Sequence, residues 1–170
     1  MTKPAAATLY DSDYYTWALM QAQALRRGLF KDLDLPNLIE EVEDMARSEA
    51  RELESRLKVL LAHLLKWAYQ PQARSKSWRL TIKEQRLQVG KSLRENPGLR
   101  PRIPAISNDA YESARLQAAK ETPLEEDDFP ATCPWTYEQA IDDDFFPEAP
   151  PSGGNGGRKA PRQGHGRKRT

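Results

Sequence analysis

From Pro36 to Ala68 the apolar residues recur at three- and four-residue steps, and no Pro or Gly interrupts them after the first turn. That is the period of one face of an α-helix. The spacing predicts one helix over about 36–68, roughly 50 Å long at 1.5 Å per residue. Its stripe runs through Leu53, Leu57, Leu60 and Leu64. A helix of that length with one apolar stripe needs partner helices. The order of charges agrees with the helix direction. Glu40, Glu41, Glu43 and Asp44 crowd its first half, whereas Arg56, Lys58 and Lys66 come later. Acids near the N-terminus and bases near the C-terminus suit the helix dipole.

Three further stripes supply the partners. Tyr14, Trp17, Ala18, Ala24 and Leu25 give a helical face that follows a capping residue at Asp11 or Ser12 and ends at Gly28. Leu29 to Leu35 reads as a connection. After Pro71, Ser75 or Ser77 caps a helix carrying Trp78, Ile82, Val89 and Leu93, and Asn96-Pro97-Gly98 breaks it. Pro101 and Pro104 keep the next stretch irregular. A helix then runs from about Ala105 to Glu121 through Ile106, Ala110, Tyr111, Ala114 and Ala118. Thr136 with Gln139 is a capping-box signature for a short fifth helix to about Ile141. The expected fold is therefore all-α: four main helices, a long central one and a short fifth. A flexible lead-in is expected at 1–10, the domain at 11–148, and a disordered Gly, Pro and basic tail at 149–170.

Charge sharpens that division. The net charge of +1 hides a split. Six of the 26 basic residues (Arg158, Lys159, Arg162, Arg167, Lys168 and Arg169) lie in the last 22 positions with no acid among them. That leaves 20 bases against 25 acids before them, a body of −5 and a tail of +6. Such a tail suits weak, salt-sensitive contact with nucleic acid phosphates. No apolar run approaches the roughly 18 residues of a membrane span. The N-terminus lacks a basic region followed by an apolar one, so no secretory signal is read there. One cysteine, Cys133, leaves no internal disulfide framework. A cytoplasmic protein without membrane contact is the expectation.

Several short motifs combine over Tyr10 to Glu148. They are Tyr10 with Asp13-Tyr14 and Trp17, Asn37-Leu38 with Glu40-Glu41 and Glu43, and Arg47-Ser48. Further on come His63 to Trp67 with Gln70-Pro71, Ser77-Trp78, Gln85-Arg86, Phe129-Pro130, and Cys133-Pro134-Trp135. Together they make the chain similar to a bacterial family of short domains of unknown function, number twenty-nine of that series. The resemblance implies an all-helical bundle of four main helices. It implies no activity, and so no catalytic residues. This chain departs from the family at Asn96 to Pro104, where it reads Pro97-Gly98-Leu99 followed by two more prolines.

Chemistry has few places to sit. Glu49, Arg56 and His63 are spaced by seven, a step of only about 20° around a helix. If the long helix and the next one form a hairpin around Pro71, His63 approaches Ile82 and Gln85. Glu49, Arg56, His63, Gln85 and Arg86 then form a polar seam. The seam is either a ligand or acid–base site with His63 as its titrating group, or a paired network that fixes helix register. No Glu precedes His63 by three residues, because position 60 is Leu60, so the dimetal-bundle motif is missing. Cys133 needs a base beside it to be a nucleophile. The glycines Gly153 to Gly157 sit in the tail and make no phosphate loop. No metal or cofactor is expected. The chain reads first as a non-enzymatic helical module that binds another protein. The alternatives are a nucleic-acid accessory protein using the tail, and a ligand-binding protein or enzyme at the His63 seam.

Overall fold

The computed structural model describes residues 6–149, with side chains described from residue 9. Six α-helices follow one another, with no strand among the described residues: α1 (Ala6–Ser12), α2 (Tyr14–Arg26), α3 (Leu35–Tyr69), α4 (Lys76–Glu95), α5 (Ile103–Glu121) and α6 (Tyr137–Ile141). The four main helices expected from the sequence are α2 to α5. The long helix extends one residue beyond its expected bounds at each end.

α1 occupies residues where the sequence suggested a lead-in and a cap. The N-cap of α2 is Asp13 instead, whose Oδ1 accepts from the Thr16 amide at 3.0 Å. α2 ends in a Schellman motif. The Leu29 amide donates to the Ala24 carbonyl at 2.9 Å, and that of Gly28 to Leu25 at 3.1 Å. Gly28 takes φ +68°, the left-handed conformation that this cap requires. The proline-rich stretch after α4 is a short 3₁₀ segment, Pro97–Arg102, that runs directly into α5. Pro104 falls in the first turn of α5, where no amide donor is needed. The helix therefore starts two residues earlier than expected.

Helix lengths set the shape. α3 has 35 residues, whereas α4 has 20 and α5 has 19. After the turn at Pro71, α4 runs back along α3 and ends where Asn96 Nδ2 donates to Glu49 Oε2 at 2.8 Å. α5 returns along α3 until Glu121 meets Lys66. These three helices share one core, with Leu53, Leu57, Leu60, Leu64, Ile82, Val89 and Ala114 at its centre. The alanines of α5 (Ala110, Ala114, Ala118) are fully buried and let α3 approach closely.

The first 14 residues of α3, roughly 20 Å of helix, extend beyond the last turn of α4. α2 flanks this part on one side. Trp17 Nε1 and Asn37 Nδ2 both donate to Asp34 Oδ2, at 3.1 and 2.8 Å. The Asp34 amide donates to Gln21 Oε1 at 2.8 Å. Tyr10 and Tyr14 hydroxyls donate to the two oxygens of Glu41, at 2.6 and 2.8 Å. Their rings pack edge-on and tilted around Trp17. This projecting arm is held by polar bonds and one aromatic cluster, outside the main core.

Candidate functional site

The polar centre of the bundle is Lys66, whose side chain is only 4% exposed. Two hydrogen-bond partners and an aromatic ring surround its ammonium. Nζ lies 2.5 Å from Glu121 Oε2 on α5 and 3.4 Å from His63 Nε2, and stands 4.6 Å from the ring centre of Trp78 on α4. His63 Nδ1 lies 2.9 Å from the Val59 carbonyl. A carbonyl only accepts, so Nδ1 carries the proton and Nε2 is left bare to accept from Lys66. Burial, reinforced by the Lys66 charge, holds His63 below its usual value of 6.5 and favours this neutral ring. Partial burial opposes ionisation of Glu121, yet the hydrogen bonds from Lys66 and Gln117 hold its carboxyl below the usual range. The cluster ties α3 to α4 and α5 at one level.

The five seam residues take separate roles. Glu49 accepts from Asn96 at the far end of the bundle. Arg56 pairs with Glu52 on its own helix at 2.7 Å. Gln85 is buried, and its Oε1 has no hydrogen-bond partner among the described residues. Arg86 holds the C-terminal strap: it donates to the carbonyls of Ala140, Asp143 and Phe145 at 3.0, 3.2 and 2.6 Å, and stacks over Phe146 at 5.2 Å. Arg74 joins the end of α3 to the same strap: it donates to the Trp67 carbonyl at 2.8 Å and, more loosely, to that of Pro147 at 3.5 Å. Phe146 in turn packs on Trp67. The sequence missed Lys66 and Glu121, although one signal was present. From Leu60 to Ala68 the helix is apolar nearly all round, so a charge placed there is enclosed.

Cys133 lines a cavity of about 390 Å³ at the start of α5, beside Leu57, Ile103, Ser107, Asn108 and Tyr137. His63 is not among its lining residues. Burial pushes the Cys133 thiol up, which keeps it protonated and poorly nucleophilic. On α4, Arg79 and Lys83 line a hollow together with Asp143 and Asp144 from the strap, which sets acids beside that basic stretch. No group of three or more His, Cys, Asp or Glu among the described residues is placed to hold a metal ion. No helix of the described residues is long and apolar enough to cross a membrane. The six tail residues Arg158, Lys159, Arg162, Arg167, Lys168 and Arg169 lie outside the described residues.

The arm carries a different kind of surface. Of the thirteen large apolar side chains exposed among the described residues, ten lie between Tyr14 and Met45. The apolar row of α3 is continuous, yet its burial changes abruptly. Leu53, Leu57 and Leu60 are at most 1% exposed, whereas Leu35 is 51%, Ile39 56% and Val42 60% exposed. Leu29 and Phe30 extend the surface at the arm's tip. The exposed large apolar side chains of the described residues are thus concentrated on the arm rather than on the bundle.

A helical bundle, a buried ion pair and a projecting arm define the molecule as an all-α domain. The chain belongs to the family described as domain of unknown function DUF29, whose model matches residues 9–146. No curated protein and no solved structure matches it.

Proposed function

We propose that this chain is a non-enzymatic helical interaction module that binds protein through its N-terminal arm. One observation carries the reading: the α3 row that forms the bundle core from Leu53 onward continues uncovered through Val42, Ile39 and Leu35. A row of that kind is stable in water when a second apolar surface covers it. The buried ion pair supports the same reading from the other side. With the Lys66 ammonium held by Glu121, His63 and the Trp78 ring, the buried cluster of titratable groups serves to hold helices together. A bacterial, cytoplasmic setting is part of this reading, supported by the resemblance of the motifs and by the lone cysteine.

Site-specific photo-crosslinking in the native host tests it. A photoreactive residue at Phe30 or Met45 should join the full chain to protein, a second copy included. The same residue at Leu87 or Leu116, exposed on the bundle, should not. Equal capture at both sets of positions would overturn the reading.

A further inference from the structure

The cavity beside Cys133 is built into the frame of the bundle. α3 supplies its floor through Leu57 and Leu61, and α6 adds Ala140; all three are buried. The first turns of α5 form one wall, and residues 132–138 form the other. That second wall is fastened on both sides. Tyr111 Oη donates to the Pro130 carbonyl at 2.8 Å, and Arg86 Nε donates to the Ala140 carbonyl at 3.0 Å. Between them, Thr136 and Gln139 close a capping box at the start of α6. The hollow is therefore preformed. Its volume of about 390 Å³ falls at the lower end of small-molecule pockets, about 300–1,000 Å³.

The polar groups around it are uncommitted. Asn108, Thr132, Tyr137 and Glu138 all line the cavity, and none makes a side-chain hydrogen bond or ion pair with another described residue. The Lys66 cluster is the opposite case, since its members are one another's partners. An apolar floor under a few free polar side chains is the usual make-up of a site for a small molecule.

Charge selects the class of guest. No Lys, Arg or His is among the lining residues, and one carboxylate is, that of Glu138. Arg100 lies close enough to influence Tyr137 but lines no part of the cavity. Glu138 is exposed and so stands at the mouth. An anionic guest would meet its carboxylate with no lining cation to offset it. A cation would gain that carboxylate, and the rings of Trp135 and Tyr137 add surfaces that attract ammonium groups. The hydroxyls of Thr132 and Tyr137 and the side-chain carbonyl of Asn108 offer acceptors for N–H donors.

We infer that this cavity is a binding site for a small organic amine, with an apolar or aromatic body over Leu57, Leu61 and Ile103 and an ammonium at the mouth beside Glu138. The site is separate from the arm and does not depend on the arm's role.

An NMR titration of the isotope-labelled full chain tests it, with three probes that share one ring: phenethylamine, phenethyl alcohol and phenylacetate. Phenethylamine should shift the amides of Ser107, Asn108 and the segment from Thr132 to Glu138, with a Kd of about 1 mM or tighter. The alcohol should bind about threefold more weakly, the worth of a partly exposed ion pair. Phenylacetate should bind weakest of the three. Glu138→Gln should bring the amine to the level of the alcohol and leave the alcohol unchanged. Glu138→Arg should reverse the order, so that phenylacetate binds best. Both variants should melt within a few degrees of wild type, because Glu138 is exposed and unpaired. No shift at the cavity from any probe at about 10 mM overturns the site. Equal binding of the three probes, or amine binding undiminished in Glu138→Gln, overturns the amine. An amine response centred on Glu40 to Asp44 instead would show general attraction to acids and overturns it as well.

Discussion

Lys66 on α3 and Glu121 on α5 meet at 2.5 Å with very different exposure: the lysine side chain is 4% exposed and the glutamate 40%. The two ends of the pair are therefore not equivalent. Removing the acid leaves a buried ammonium short of its partner, whereas removing the lysine leaves a carboxylate that water can reach.

Glu121→Ala should therefore destabilise the fold by about 2 kcal/mol, less than a fully buried pair would lose because the carboxylate is partly solvated. Lys66→Met should cost under about 1 kcal/mol, since its site accepts an apolar chain of similar length. Chemical denaturation of the two variants checks the order. A larger loss for Lys66→Met would show that the ion pair itself holds α5 in place.

His63 gives a pH signature. Its folded-state value lies below 6.5, held there by burial and by Lys66. In the unfolded chain it titrates near 6.5, so below that pH the unfolded state binds a proton that the folded state resists. The His63 contribution is thus complete above about pH 6.5 and is lost as pH falls toward the folded value. Glu121, held below its usual 4.5, loses its contribution only at lower pH. His63→Gln should flatten the first window and leave the second. His63→Ala should cost about 1–3 kcal/mol through the unpaired Lys66 donor. Denaturation midpoints between pH 4 and 8 report both effects. A wild-type curve with the same slope as His63→Gln above pH 5 would contradict the assignment.

Arg86 fastens the strap over 140–147 with three carbonyl bonds and a ring contact. Arg86→Met keeps the apolar stem but drops the three donors, leaving at least the buried Ala140 carbonyl unpaired. A loss of about 2–4 kcal/mol is expected, with faster amide exchange confined to the strap and its neighbours. Truncation after Glu148 removes none of these bonds and should shift the melting temperature by no more than a few degrees. Uniform acceleration of exchange across α3 to α5 in Arg86→Met would show instead that the strap belongs to the core.

Much of this architecture was legible from residue order. Pro36 and Pro71 bracket the long helix, and the stripes of α4 and α5 match the residues found in the core. α1 was missed because Ala6–Ser12 has only seven residues, too short for a stripe to repeat, and no capping residue directly before it. The polar seam was legible only as spacing. Seven-residue steps align Glu49, Arg56 and His63 on the helix, but 14 residues separate the first from the last, about 21 Å along the axis. Each therefore meets different neighbours. Lys66 was passed over because a lysine in an amphipathic helix usually reaches water. Here α4 and α5 close over the last turns from both sides. The open half of α3 has the same pattern as the closed half, since periodicity records a face but not what covers it. The lengths hold the missing information: a 35-residue helix beside partners of 20 and 19 must project.

One apolar row serves, in this reading, as core at Leu57 and as interface at Val42. Val42→Asp separates the two roles when the melting temperature and photo-crosslinking to protein from position 45 are both measured on the full chain. The expected result is a melting temperature within a few degrees of wild type together with loss of the cross-links. A melting temperature that falls as far as that of Leu57→Ala, expected to cost about 2–5 kcal/mol, or cross-links that survive the aspartate, would contradict it.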